Sequence, residues 1–460
     1  MNDSGKRTER DSMGPVEIAE DALYGPQTQR AINNFTISSL VMPWQFLSTV
    51  ILVKKIAAIT NMELGLLDQD QGHAIVNSCL KLLKGGLRDH FPVPIYQTGS
   101  GTSTNMNVNE VIARLATLEG AEIDANDHVN LGQSSNDVIP TAIHVSTAVG
   151  ITSQLIPALD TLIETIRVRG REHHDVVKTG RTHLMDALPI RLQAEFEAWA
   201  IQLEECCERF NDGLARITRL PLGGTAIGSG VNCHPDFKAI AISKLSQETG
   251  VEFSSAASAY KGLSSMDSAV EISGHCKTTA TCLFKIANDL RLMNSGPLSG
   301  MGEIQLPALQ PGSSIMPAKV NPVIPEAVCM AAAQVIGYDT AITICSQSGN
   351  FQLNTMMPLI GANLLGAIEL ISGSCLCLAD KAIRDMTIDT ERASAALEKN
   401  PILVTALNPE IGYLRAAELA KLAVKEGRTI LEVARDHTDL PEELLQELLN
   451  PENMADGGKK

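Results

Sequence analysis

Three stretches rich in Ser, Thr, Asn and Gly carry groups suited to holding an anion: TGSGTSTNMNVNE (98–110), NLGQSSND (130–137) and QPGSSIMPAKVNP (310–322). Each combines hydroxyls, side-chain amides and glycine-freed backbone N–H groups, which grip carboxylate oxygens without burying a full counter-charge. One such stretch alone reads as a turn and a helix cap, with Ser134, Ser135, Asn136 or Asp137 opening the next helix. Three of them, with the compact GRTHLMDA that contains Thr182 and His183, point instead to a shared anion site.

The stretches adjoin long helices, and the rest of the chain must position them. Aromatic residues make up only 3%, alternating Val, Ile, Thr and Tyr runs are scarce, and Ala, Leu, Glu and Ile recur at helical spacing, so the fold class is mostly α. Leu155, Leu159, Leu162, Ile163 and Ile166 form one amphipathic stripe. Leu192, Phe196, Trp199, Leu203, Cys206, Phe210 and Leu214 alternate steps of four and three, the seam of a helix packed lengthwise. Residues 267–293, 327–344 and 359–378 are apolar or small around the whole circumference and call for a surround on every side. Membrane spans are the bland alternative for the last two, by length. Gln334, Asn363, Glu369 and several Gly and Ser interrupt the runs, and aromatic and basic flanks are lacking, so a bundle completed by other subunits fits better.

The chain has 460 residues, 44% hydrophobic and 20% charged, which excludes disordered, collagenous and small disulfide-stapled classes. A net charge of -16, from 37 basic and 53 acidic residues without a basic run, argues against nucleic-acid or anionic-membrane partners. It leaves room for a small anionic substrate, because a pocket needs only one or two local cations. The ten cysteines sit mostly in apolar helical patterns and are expected to be reduced, and Cys375 and Cys377 lack the adjacent histidines of a zinc site. The segment MNDSGKRTER has no apolar core of a leader, so a cytoplasmic location is expected. Breakers divide the chain into a mixed helical and loop domain (1–130), a central long-helix bundle domain with the loop 310–322 (131–390), and a small helical C-terminal domain (391–460).

GSSIMPAKVNP resembles the GSSxMPxKxNP signature of the fumarase/aspartase superfamily, lyases that eliminate across a C–C bond beside a carboxylate. GSGTSTNMNVNEVIA, GQSSND, GRTHLMDA, LPLGGTAIGSGVN and NPILVTALNPEIGY follow the family's order over nearly the whole chain, and together they resemble the class II, iron-free fumarases most. The resemblance implies a three-part lyase subunit whose central helices complete a multi-helix core in a homotetramer, each active site being assembled from three subunits. It implies reversible hydration of fumarate to (S)-malate, a step of the tricarboxylic acid cycle.

The same resemblance assigns residues. Ser313 maps to the catalytic base, whose alkoxide needs stabilising N–H groups and a nearby cation. His183 maps to the other acid/base group, acting through a water on the leaving hydroxyl, and Glu326 to its carboxylate partner. Lys319 and Asn321 map to ligands of the substrate carboxylate and of the aci-carboxylate formed when the C3 proton leaves. Ser100, Gly101, Thr102, Ser134, Ser135, Asn136, Thr182 and Ser314 map to the remaining substrate contacts. Neither a metal nor another cofactor is implied, since preorganised dipoles and charges do the work of a Lewis acid.

Some positions depart from the family pattern. Gly132 stands where many relatives have Ser, Ala318 where fumarases often have Gly, and RLQAE follows Pro189 in place of TLGQE. Asp124, with Asn126 and Asp127, falls where many fumarases begin a second carboxylate site with His. A carboxylate there repels a dicarboxylate, which counts against that site. The rival activity is aspartate ammonia-lyase, because AKVNPV and GTS also occur among aspartases. A catalytically silent helical structural protein is the other alternative, opposed by the intact Ser313, Lys319, Asn321 and His183.

Overall fold

Helical periodicity becomes helix along most of the chain in the computed structural model, which describes residues 5–457. A hairpin of β1 (Lys6–Asp11) and β2 (Gly14–Ala19) comes first, paired from Lys6↔Ala19 to Asp11↔Gly14. Helices α1 (Pro26–Asn34), α2 (Trp44–Glu63), α3 (Gln69–Leu83), α4 (Thr102–Leu118) and α5 (Ser135–Gly150) follow. One wide turn, Ile151–Leu155, carries α5 into α6 (Ile156–Glu172). A second hairpin, β3 (Val177–Thr182) and β4 (Met185–Arg191), leads to α7 (Leu192–Ile217). Then come α8 (Phe237–Thr249), α9 (Ala259–Ser264), α10 (Asp267–Met293), α11 (Val323–Ser346) and α12 (Met357–Leu378). Short helices end the chain: α13 (Thr390–Ser394), α14 (Asn408–Ile411), α15 (Tyr413–Glu426), α16 (Ile430–His437), α17 (Glu442–Leu448) and α18 (Pro451–Ala455).

Two compact units are built from interleaved segments. The first takes Met1–Pro157, Cys206–Ala280 and Ala332–Ser372; the second takes Ala158–Glu205, Thr281–Ala331 and Gly373–Lys460.

In the first unit α2 is the hub, with Phe46, Val50, Ile51 and Val53 buried and α3, α4, α5 and α8 packed around it. Small residues let long helices come close. A Cβ at Gly361 of α12 would lie 3.2 Å from Ile143 of α5, and one at Gly366 would lie 3.2 Å from Tyr338 of α11. Asp339 of α11 accepts hydrogen bonds from Ser273 (2.8 Å) and Lys277 (2.6 Å) of α10. Gly213 of α7 leaves only 2.6 Å for a Cβ against Ile272 of α10. The order α5, α12, α11, α10, α7 is therefore a bundle of neighbours, each contact set by a small or hydrogen-bonded side chain.

In the second unit Arg167 of α6 reaches Glu197 (2.7 Å) and Glu204 (2.5 Å) of α7, where Gly170 seats against Phe196. The C-terminal helices have their own apolar cluster, including Leu403, Leu407, Leu419, Ile430, Val433 and Leu445. Asn400 Nδ2 ties this part to the carbonyl of Ala187 on β4 at 2.8 Å.

The α6 stripe is buried throughout, and so is the α7 seam except for half-buried Leu214. The complete surround expected for the apolar segments is not supplied by one chain. Met330 (69% exposed), Ile336, Ile344 and Leu376 face outward. Ser135–Glu172, Val323–Ser346 and Met357–Ile383 are long and apolar enough to cross a bilayer by length and composition. Only 39% of the most apolar window of Val323–Ser346 is buried within the chain, so α11 needs a further partner most.

Candidate active site

The first two Ser/Thr/Asn stretches meet inside the first unit. Gly101, at φ +74°, ends the turn before α4, and a Cβ there would lie 2.8 Å from Ile139 of α5, so this crossing admits glycine alone. The close approach brings three hydroxyls into a chain: Ser100 Oγ to Thr102 Oγ1 at 2.9 Å, and Thr102 Oγ1 to Ser135 Oγ at 2.7 Å. Ser134 caps α5 reciprocally, its Oγ accepting from Asn136 N–H (3.2 Å) while its own N–H donates to Asp137 Oδ1 (2.9 Å). Asp137 Oδ2 also accepts from Gly223 N–H (2.9 Å) and Thr225 N–H (3.0 Å), and Asn136 Nδ2 donates to the Ala226 carbonyl (2.8 Å). The LPLGGTAIGSG loop is thereby pinned to the start of α5. Burial pushes the Asp137 carboxyl above its usual range, against the pull of these N–H groups and of Lys54.

Beneath the hydroxyl chain lies a buried polar hub. Asn130 Oδ1 accepts from Lys54 Nζ (2.9 Å), Asn105 Nδ2 (3.1 Å) and Asn109 Nδ2 (3.1 Å), and Lys54 Nζ also donates to Gln133 Oε1 (3.0 Å). Asn130 Nδ2 closes back on the Gln133 carbonyl at 3.1 Å. The hub joins α2, α4 and the turn before α5, so it sets the spacing of Thr102 against Ser135. Lys54 has no exposed surface, and burial pulls it down to about 7 against the opposing charge of Asp137.

The third stretch forms a pinched, exposed loop in the second unit. Gly312 N–H donates to the Lys319 carbonyl (2.7 Å) and Asn321 Nδ2 to the Gly312 carbonyl (2.7 Å), closing the loop at its neck. Ser313 Oγ accepts N–H groups from Ile315 (3.2 Å) and Met316 (3.0 Å). Ser314 and Lys319 are exposed, and Ala318 stands at φ +69°, a left-handed conformation that glycine adopts without strain. Lys319, Asn321 and Glu326, the last in the first turn of α11, line one cavity of about 800 Å³ with Arg291.

Thr182 and His183 stand at the exposed tip of the β3–β4 hairpin. Thr182 pairs with Met185, and His183 (φ 56°) and Leu184 (φ 60°) form the two-residue turn with both φ positive. Non-glycine residues held this way are strained, a cost that clusters at functional sites. The stem is buried from Val177 to Gly180. Among the described residues His183 and Glu326 of one chain form no ion pair.

Comparisons with known proteins fit this geometry. The family described as Lyase matches residues 14–337, and Fumarase C C-terminus matches residues 403–456. Fumarate hydratase class II 2 of Pseudomonas aeruginosa is 51% identical over 98% of this chain and 99% of its own length. Fumarate hydratase class II of Xylella fastidiosa (strain Temecula1) is 53% identical over 99% of this chain and 97% of its own. The crystal structure of recombinant class II fumarase from Schistosoma mansoni superposes with a TM-score of 0.96 at 36% identity, covering 99% of this chain and all of that one. The chain belongs to the class II fumarase family.

Against that family's pattern, Asp124 has a structural occupation. Its carboxylate accepts the N–H groups of Asn126 (2.7 Å) and Asp127 (2.8 Å), and its own N–H donates to His128 Nδ1 (2.9 Å). The amides at the start of this turn are spent on a carboxylate of the chain itself. Sequence reasoning missed Lys54, Asn130 and Gln133 as a unit. The available signal was the pair Lys54–Lys55 inside an otherwise apolar helix, where a lysine must find buried acceptors. It also did not separate the two halves of TSTNMNVNE: Asn105, Asn107, Asn109 and Glu110 are all buried structural groups.

Proposed function

We infer that this class II fumarase interconverts fumarate and (S)-malate, with Ser313 as base and His183 as the acid for the leaving hydroxyl. The observation that carries the mechanism is the pair of backbone N–H groups on Ser313 Oγ, which offer an alkoxide two donors before any substrate arrives. In the malate-to-fumarate direction Ser313 removes the C3 proton, and the electron pair moves into the adjacent carboxylate to give the doubly charged aci-carboxylate. Lys319 and Asn321 hold that charge. The C2–O bond then breaks, with a proton delivered to the hydroxyl by His183 through a water, and Glu326 fixes the imidazole. Ser100, Gly101, Thr102, Ser134, Ser135, Asn136, Thr182 and Ser314 supply the remaining carboxylate contacts.

The working form in this reading is a homotetramer whose active sites each draw on three subunits, in the cytoplasm. Exposed Met330, Ile336 and Ile344 on α11 support association of copies, since soluble monomers rarely leave such stretches bare. An exposed hairpin tip and an exposed loop likewise suit sites completed by neighbouring copies. The division at residues 130 and 390 stands as part of this proposal, supported at the second boundary by the separate apolar cluster beyond Leu403.

Fumarate absorbance on adding malate, with aspartate in parallel, tests the activity. Malate should be preferred by more than about 10³ in kcat/KM, because a site built around one polar leaving group rejects a mismatched analogue strongly. A higher value for aspartate moves the assignment to aspartate ammonia-lyase. Ser313→Ala should lower turnover at least about 10²-fold with assembly intact; near-normal turnover removes Ser313 from the base role.

A further inference from the structure

Glu303 belongs to none of the polar stretches, yet it sits in the second unit at the root of the 310–322 loop with 5% of its side chain exposed. Its Oε1 takes the Arg181 guanidinium, and Lys178 Nζ lies 2.8 Å from its Oε2. Lys178 Nζ also donates to Glu195 Oε2 at 2.9 Å, so its ammonium is shared between the two carboxylates. Two cations and two carboxylates make a neutral cluster. Lys178 and Arg181 are both on β3, and Arg181 is two residues before His183.

The backbone of Glu303 is fixed as firmly as its side chain. Its N–H donates to the Met293 carbonyl at the end of α10 (2.9 Å), and its carbonyl accepts from Asp389 N–H (2.9 Å). The next two residues, Ile304 and Gln305, pair antiparallel with Ile388 and Thr387. Loop root and hairpin stem are thus joined through one buried carboxylate.

Stability alone is a weak reason for such a cluster, because replacing buried ion pairs by apolar groups of similar volume is often neutral or stabilising. What a charge-assisted hydrogen bond adds is direction: the contact of Arg181 Nη2 with Glu303 Oε1 favours one distance and one angle. The turn that needs fixing is the one held at two positive φ values, at His183 and Leu184.

We propose that Glu303 is a positioning residue that holds the Thr182–His183 hairpin tip in its working geometry from the root of the signature loop. The proposal rests on the reading of His183 as the acid. A displacement of the tip by about 1 Å is enough to lower turnover by about ten- to a hundredfold.

The test is a double-mutant cycle on the assembled enzyme, with kcat and KM for malate measured for Glu303→Gln, His183→Asn and the combination. Glu303→Gln should lower kcat at least tenfold with KM changed less than threefold, and should lower it less than twofold further in the His183→Asn background. Lys178→Met with Glu303→Gln keeps the charges balanced on Arg181 and Glu195, guards against a folding defect, and should show the same loss. Equal losses in both backgrounds, or kcat within twofold of wild type in an assembled variant, overturn the proposal. So does failure of both Glu303 variants to assemble, which would make the residue a folding determinant. If His183→Asn itself leaves turnover within twofold, the acid assignment fails, and that result is read independently of Glu303.

Discussion

Replacing Lys54 by Met tests the polar hub with a defined sign. Lys54 is fully buried, and its pKa falls from 10.5 to about 7. At about 1.4 kcal/mol per pKa unit, keeping this lysine charged in the folded protein costs about 5 kcal/mol at low pH. Met fills a similar volume without that cost. It leaves Asn130 Oδ1 with its donors from Asn105 and Asn109 but strips Gln133 Oε1 of Lys54, a loss of about 1–3 kcal/mol. The balance favours Lys54→Met in acid. Because the folded-state pKa lies below the unfolded one, the unfolded chain binds the proton more tightly between about pH 7 and 10.5. Wild-type stability therefore rises across that window; the full penalty applies below it and none remains above it. Thermal unfolding of both proteins at about pH 6 and about pH 9 should show Lys54→Met ahead at the lower pH, with its advantage smaller by about 3 kcal/mol at the higher. An offset independent of pH, or one that grows with pH, refutes the reasoning. Steady-state kinetics on the same variant should show a raised KM, since the hub spaces Thr102 against Ser135.

Glu110 accepts N–H groups from Gly25 (2.9 Å), Gln27 (2.8 Å) and Thr28 (3.1 Å) and the Thr28 hydroxyl (2.6 Å). Glu110→Ala should cost about 3 kcal/mol or more by leaving these donors buried, and an unchanged denaturation midpoint would contradict this role. A Cβ on Gly312 would lie 2.6 Å from the Lys319 carbonyl and 2.9 Å from Asn321 N, so Gly312→Ala should open the loop neck. Turnover should fall about tenfold or more with melting unchanged, because the loop is exposed; wild-type turnover would show the neck to be dispensable. Ala318→Gly relieves a left-handed alanine while loosening the unfolded chain, two effects of about 1 kcal/mol each and opposite sign. Melting and turnover should both stay near wild type, and a large loss of turnover would show that the Ala318 methyl is needed.

Local chemistry made much of this protein legible in one dimension. Helical periodicity is a property of neighbours three and four apart, so the α6 stripe and α7 seam could be read directly, and all but Leu214 are buried as that reading requires. The cap at Ser134 and Asp137 is equally local, as are the Ser313 turn and the position of His183 between Thr182 and Leu184. Tertiary structure alone decided which polar groups are structural. Glu110 finds its donors at residues 25–28, Asp137 at 223 and 225, and Glu303 at 178 and 181, while Lys54 finds its acceptors at 130 and 133. No periodicity encodes those pairings, because a buried charge is satisfied by whatever donors or acceptors the fold brings within about 3 Å, however far along the chain they stand. The apolar circumference of α11 shows the same division. Its composition demanded cover, and only the folded chain, with Met330, Ile336 and Ile344 left in the open, showed that one copy does not provide it.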